Sequence, residues 1–349
     1  MKGISPIVAS VLLILVAVSL VSTYTIWSNR VFSRVSEQGG EEISSAAKKL
    51  FSDFNIEGIS KQTIAIRNTG SSKLTASALT VFFDGEPITF AADFDALDAD
   101  QSGSLALKEL WKFGPGSHTM KVSAGSFSDS MQLTLEPASG LAGDWRFDES
   151  TGTVAKDSSG NGVDGTLNNA TGTCGGTACP SWTRGKVNNA LEFDGVGDSV
   201  IIPKSSSHEP MNTITIEAWF KPDVLTGTHF VLHKGGLYYI RHSGGTLEAV
   251  IYTGGVGSWV IVEGSIKTGE WHHITLVYDK TAVIAYLNGA EIGRDPATGN
   301  IGSPSVPGGL SIGAESGFPF SFFDGTIDEV RIYSDRAYTP DELYVLKQK

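Results

Sequence analysis

The residues of this 349-residue chain best equipped for chemistry lie near its C-terminal end, in "FDGTIDEVRIY", where Asp328 and Glu329 precede an arginine. A glycoside hydrolase that draws both carboxylates from one strand needs them at alternate positions, so that acid and nucleophile share a cleft. The residues two away from Asp328 are Thr326 and Val330, and Glu329 falls on the opposite face of a regular strand. The paired-carboxylate geometry is therefore missing. His272-His273 in "EWHHITLVYD" also alternates faces, which favours a packing role over metal binding for at least one of the two. No Ser/His/Asp grouping, phosphate-binding glycine loop or zinc spacing stands out, so the expectation is a protein that is not an enzyme.

Oxygen-bearing side chains gather in "DSSGNG", where Asp157, Ser159 and Asn161 alternate before a turn at Gly162. The stretch opens like an EF-hand loop, but its twelfth position is Asn168 instead of glutamate. Ca²⁺ takes about six to eight oxygens, so a distant carboxylate and backbone carbonyls would have to contribute. The competing reading is an Asx-rich turn satisfied by its own backbone. "DFDALDAD" reads as an exposed acidic loop and is given no chemistry. Cys174 and Cys179 suit a small disulfide-closed loop if the domain is exported, with half a metal site or two free thiols as the alternatives. Asn169-Ala170-Thr171 is an acceptor sequon for N-glycosylation on an exported chain. Tyr239, Arg241, Tyr252 and Trp259 sit on neighbouring predicted strands bounded by glycine-rich loops. They are candidates for a glycan surface, which needs an aromatic platform beside hydrogen-bonding groups. Each also suits plain packing, the role expected of Trp219 and Trp271.

These residues must be positioned by a mainly β chain. Carboxylates outnumber Lys plus Arg by 38 to 26, a formal charge of −12 that argues against nucleic acid as a partner. From Ile4 to Trp27 the residues are apolar or small, and about 20 of them in a helix span roughly 30 Å, the core of a bilayer. No small-residue cleavage site of the ordinary secretory kind follows. An amphipathic continuation, weakened at Gly39-Gly40, carries the helix of residues 4–54 toward the first strands. Residues 55–136 alternate apolar and polar positions around turn signals at Asn68 to Ser72 and Asp84-Gly85, which predicts a small antiparallel β-sandwich headpiece. Residues 137–140 read as a linker. The remainder, 141–349, consists of short β-branched or aromatic runs ending in Gly, Asp or Asn, with a hairpin at Asn288-Gly289. "TPDEL" at its end reads as a helix start, with Thr339 as N-cap and Pro340 in the first turn.

The opening "KGISPIVASVLLILVAVSL" resembles the class III signal of archaeal type IV pilins and archaellins. That resemblance implies that residues 1–3 are a signal, with Lys2 and Gly3 read by a prepilin peptidase and a mature chain beginning at Ile4. It implies insertion in the cytoplasmic membrane first, then self-association, or association with other pilins, through the apolar helix of an extracellular filament. Bacterial pilins carry a glutamate at the fifth mature position, which here is Val8; archaeal relatives generally lack it.

"DSSGNG", "ALEFDG", "EAWFKP", "WHHITLVYD", "YLNG" and "IDEVRIY", in this order, resemble the laminin-G-like, concanavalin A-like jelly roll. This resemblance implies two opposed antiparallel sheets, often a structural Ca²⁺, and frequent binding of carbohydrate or protein. For that ion it adds Asp328 of "IDEVRIY" and Asp148 of "FDES" to Asp157 and Asn161. The expectation is a pilin-like subunit of a surface filament that displays a lectin-like domain for adhesion to a glycan or protein. A membrane-anchored lectin that never polymerises is the second reading, and a surface polysaccharide hydrolase a weaker third.

Overall fold

The computed structural model describes residues 54–348, apart from short stretches at 126, 170–171, 175–178, 211, 255, 263–265, 303–308 and 316–320. The apolar helix of residues 4–54 and the cleavage residues Lys2, Gly3 and Ile4 thus lie outside the described residues but for Phe54, which begins the first strand. Among the described residues no helix is long and apolar enough to cross a membrane.

The chain is mainly β, built of antiparallel sheets. The headpiece sandwich has a four-stranded sheet in the order Phe54–Ser60, Thr63–Asn68, Ser102–Leu107, Phe90–Ala92. Its partner sheet runs Tyr344–Gln348, Phe127–Pro137, Gly116–Ala124, Leu79–Phe83, Glu86–Ile88. Alternation of the kind read in the sequence buries Ile64, Ile66, Val81, Phe83, Met120, Val122, Leu133 and Leu135 between them. The Asp84-Gly85 hairpin closes as expected, with both turn residues at positive φ and Phe83 paired with Glu86.

The last strand corrects one expectation. "TPDEL" makes a single 3-10 turn over Pro340–Glu342, whose Glu342 carboxylate accepts the Thr339 N–H and hydroxyl. No helix follows. The chain turns back instead, and Tyr344–Gln348 pairs with Phe127–Pro137 from Pro137↔Tyr344 to Leu133↔Gln348. The open edge of that long strand offers a full ladder of backbone partners, which a short isolated helix cannot match. The end of the second domain therefore completes the sheet of the first.

Residues 141–349 otherwise form the expected pair of opposed sheets. One runs Ser181–Arg184, Asn189–Asp194, Asp324–Ser334, Ile214–Pro222, His272–Tyr278, Ala282–Leu287, Ala290–Pro296, with Leu141–Trp145 also on Asp324–Ser334. The other runs Val154–Ala155, Gly165–Asn169, Ser199–Ile202, Leu310–Ile312, Thr228–Lys234, Tyr238–Ser243, Thr246–Thr253, Val256–Val262. Trp145, Phe193, Phe220, Tyr238, Ile251, Ile274 and Ile332 are among the side chains that fill the space between. The headpiece packs on part of the outer face of the first sheet. There Trp111 of the headpiece stacks on His273 at 4.8 Å and meets Trp219 at 5.8 Å. Trp219 and Trp271 do pack, but against the headpiece cluster rather than between the jelly-roll sheets. The Asn288-Gly289 turn has a second duty at this junction. A Cβ on Gly289, which sits at φ +81°, would lie 2.7 Å from the Trp111 ring.

Candidate functional site

The outer face of the second sheet presents a broad β surface. Its strands Thr228–Lys234, Tyr238–Ser243, Thr246–Thr253 and Val256–Val262 are paired so that His233, Tyr239, Val250 and Trp259 are successive Cα partners in one row. A neighbouring row aligns Phe230, Arg241 and Glu248. Residues between them in sequence, Ile240, Ala249 and Ile251, enter the main core, so the period of two sends Tyr239, Arg241, Glu248, Val250 and Tyr252 outward.

On this face Phe230, Tyr239 and Val250 form a small buried cluster with Tyr252 packed beside it. Ring centroids stand 5.5 Å apart for Phe230 and Tyr239, 5.9 Å for His233 and Tyr239, and 6.5 Å for Tyr239 and Tyr252. The Arg241 guanidinium lies over this floor, 5.1 Å from the Tyr239 ring and 5.4 Å from Phe230. Its Nε and Nη2 both donate to Glu248 Oε2, at 2.8 and 2.7 Å. Tyr239 is only 5 % exposed, which makes it a support for Arg241 more than a contact for a ligand. Arg241, Glu248 and Tyr252 are half-buried and form the accessible part. Burial, aided by the Arg241 charge, pushes His233 down to about 4, so its ring is neutral at physiological pH. Burial also raises the Tyr239 phenol, which stays protonated.

Three of the four expected ligand residues, Tyr239, Arg241 and Tyr252, are thus brought together, with Tyr239 beneath. Trp259 is the Cα partner of Val250 on the next strand, and its side chain lies outside the described residues. Phe230, His233 and Glu248 were missed. The signal for Glu248 was present in "RHSGGTLE", because a two-residue Gly244-Gly245 hairpin places Arg241 opposite Glu248. Phe230 and His233 come from the preceding strand, where a bulge between Phe230 and Leu232 shifts a register the sequence does not announce.

The four residues named for calcium fall in two places. Asp157 and Asn161 share one turn. Asp157 accepts backbone N–H groups from Ser159 and Asp144 on Oδ1 and from Val163 on Oδ2, and the Asn161 amide donates to the Leu141 and Ala142 carbonyls. Burial would raise Asp157, but these hydrogen bonds together hold it below the usual carboxylate range. Asp328 lies apart from that turn, buried, with Oδ2 accepting the Val187 N–H. It feels the exposed Asp148 only as a weak neighbouring charge. Among the described residues no three His, Cys, Asp or Glu side chains gather as a metal-binding group. The Asp157 carboxylate is thus engaged by three backbone N–H groups, two from its own turn and one from Asp144 on the neighbouring strand.

Asp328 and Glu329 depart from regular alternation, because a bulge opposite Glu217 and Trp219 puts Glu329 at φ +53°. Both carboxyls are buried, at 0 % and 1 % exposure, and both are raised by burial first. Asp328 is pushed up to about 9, with Glu329 beside it as the second cause. They line no open cleft. Cys174 and Cys179 form a disulfide, as expected of an oxidising compartment. Asn169 is on the strand Gly165–Asn169 next to that loop, half-buried.

Residues 194–343 match the family model described as the concanavalin A-like lectin/glucanases superfamily, and this part of the chain is a concanavalin A-like jelly-roll domain. None of the curated proteins matches the chain. Among solved structures it is similar to domain 4 of an extracellular arabinanase from Geobacillus stearothermophilus in complex with arabinotriose. The identity is 26 %, over 60 % of this chain and 98 % of that one, at a TM-score of 0.44. It is also similar to the receptor-binding domain of the botulinum neurotoxin C/D mosaic serotype, at 12 % identity over 58 % of this chain and 49 % of that one, TM-score 0.43. A third is a Trypanosoma rangeli sialidase, at 20 % identity over 63 % of this chain and 33 % of that one, TM-score 0.42. The chain thus spans nearly all of the first and half or less of the other two.

Proposed function

We propose that this chain is a pilin-like surface protein whose jelly-roll domain binds a glycan through the Arg241, Glu248 and Tyr252 face. The observation that carries the reading is a charged hydrogen-bonding pair laid over an aromatic floor on the outer face of the second sheet. Directed donors and an acceptor beside aromatic surface are how proteins hold sugars. The matched family description spans lectins and glucanases, and the buried, bulged Asp328 and Glu329 favour the binding reading over the hydrolytic one. A protein surface is the other ligand class in this reading, and no nucleic acid enters it.

The N-terminal half of the reading rests on the sequence alone. Prepilin peptidase removes Met1 to Gly3, the apolar helix from Ile4 holds the subunit in the cytoplasmic membrane, and copies or other pilins then gather it into an extracellular filament. A membrane-anchored lectin that does not polymerise is the competing reading. A structural calcium ion at the Asp157 turn would share that carboxylate with the N–H donors already on it, and backbone carbonyls would have to complete its shell.

A glycan array probed with the intact protein tests the binding half. Specific binding that falls at least tenfold in Arg241→Ala and Tyr252→Ala, with melting temperatures held, is expected. Glycan binding that survives both changes moves the site elsewhere. Mass spectrometry of the N-terminal peptide from native cells tests the other half, since a start at Ile4 supports filament assembly and an intact Met1 leaves only the anchored form.

A further inference from the structure

We infer that this face selects neutral sugars presenting two adjacent hydroxyls and turns acidic sugars away, an inference that rests on the glycan-binding reading above. Arg241 has five N–H donors, of which Nε and one hydrogen of Nη2 go to Glu248 Oε2. Among the described residues the Nη1 pair and the second Nη2 hydrogen take no partner, and neither does Glu248 Oε1 beside them. A vicinal diol needs that arrangement, because each hydroxyl both gives and takes a hydrogen bond. The half-buried Tyr252 ring alongside offers an apolar surface to the C–H face of a pyranose or furanose.

Charge decides the class. Glu248 neutralises Arg241 in a two-donor ion pair whose partners are themselves half-buried, with side-chain exposures of 27 % and 13 %. A sugar carboxylate would have to break that pair or approach it with Glu248 still in place, and like charges at close range repel strongly. Glu315 feels the same guanidinium and adds a second carboxyl to the neighbourhood. The long-range field points the same way, since the whole chain carries a formal charge of −12. The guanidinium is also tied to Glu248 by two hydrogen bonds and lies 5.1 and 5.4 Å from the Tyr239 and Phe230 rings, so little side-chain freedom is lost when a diol docks.

The test compares matched neutral and acidic oligosaccharides, the acidic set carrying sialic or uronic acid, on the intact protein. The natural protein should prefer the neutral set by about tenfold or more. Glu248→Gln leaves Arg241 without its counter-charge, so neutral binding should fall about tenfold and acidic binding should rise. Glu248→Asp keeps the charge and should keep acidic sugars out. Tyr252→Ala should weaken both sets together. Thermal melts matching the parent's establish that the variants fold. A natural protein that prefers acidic sugars and loses them in Arg241→Ala overturns the inference while leaving the glycan reading intact. A neutral-to-acidic ratio unmoved by Glu248→Gln overturns it too. Failure of every glycan to bind sinks the glycan reading, and the inference with it.

Discussion

Replacing Arg331 by Met should destabilise the protein in a way that grows with pH. Arg331 is fully buried where the jelly roll meets the headpiece, in a nest of acidic partners. Its Nε stands 2.8 Å from Asp144 Oδ1, an ion pair too bent to count as a hydrogen bond. Nη1 donates to Glu217 Oε1 at 3.2 Å and to the Tyr344 hydroxyl at 2.7 Å, and Nη2 pairs with Glu329. Glu217 also takes the Tyr344 and Tyr333 hydroxyls and His273 Nε2. Burial alone would raise Glu217, but the His273 hydrogen bond and the Arg331 charge together outweigh it and hold the carboxyl below its ordinary range.

Removing the arginine leaves buried carboxylates without their counter-charge, which costs about 3–5 kcal/mol when they are ionised. For a unit of this size that is roughly 6–20 °C in melting temperature. The sign with pH follows from the shifts. In the parent the Glu217 contribution is present above its ordinary pKa and is lost as pH falls through the depressed value. In the variant the same groups are raised by burial, so stability is retained at low pH and lost as pH rises. The gap between the two proteins should therefore be several kcal/mol at pH 7 and shrink to about 1 kcal/mol near pH 4. Urea denaturation followed by tryptophan fluorescence reads both points. A gap that is flat across this range, or below about 1 kcal/mol at pH 7, would refute the buried-network argument.

Three further outcomes are expected. Asp328, pushed up to about 9, contributes stability that is fully present below its ordinary pKa and drains away as pH rises toward 9; Asp328→Asn should match the parent near pH 4 and exceed it by several kcal/mol, up to about 5 kcal/mol, at pH 8, and denaturation at the two pH values shows whether it does. Deleting residues 344–349 strips the edge of Phe127–Pro137 and removes the buried Tyr344. Hydrogen exchange should then speed first in the headpiece strands, at a loss of about 3 kcal/mol or more, whereas unchanged headpiece protection would show the strand to be dispensable. Replacing both Cys174 and Cys179 by Ser opens a short loop and should lower stability by about 2 kcal/mol, with no change in glycan binding, because the loop is on another part of the sheet.

Much of the β architecture was legible because its signals are local. Alternating apolar positions and the Asp84-Gly85 and Asn288-Gly289 turns each announce themselves within a few residues, and the hairpins formed where those turns required them. What escaped were features settled by distant partners. Thr339 is the N-cap as expected, with Glu342 bonded back to it, yet the open edge of Phe127–Pro137, some 200 residues earlier in the chain, turns the following residues into a strand. The bulge at Glu329 broke the simple alternation that was used to separate it from Asp328. Of the site, Tyr239, Arg241 and Tyr252 were found from residue type and spacing, but only cross-strand register joins Arg241 to Glu248 and Phe230, and only burial reveals that Tyr239 lies beneath.

The central claim is that a glycan docks on the outer face of the sheet carrying Arg241 and Tyr252. A crystal structure of the protein with the tightest-binding array glycan tests it most directly. The account predicts a sugar ring against Tyr252 with adjacent hydroxyls on Arg241 and Glu248. A sugar seated elsewhere, with that ion pair untouched, would contradict it.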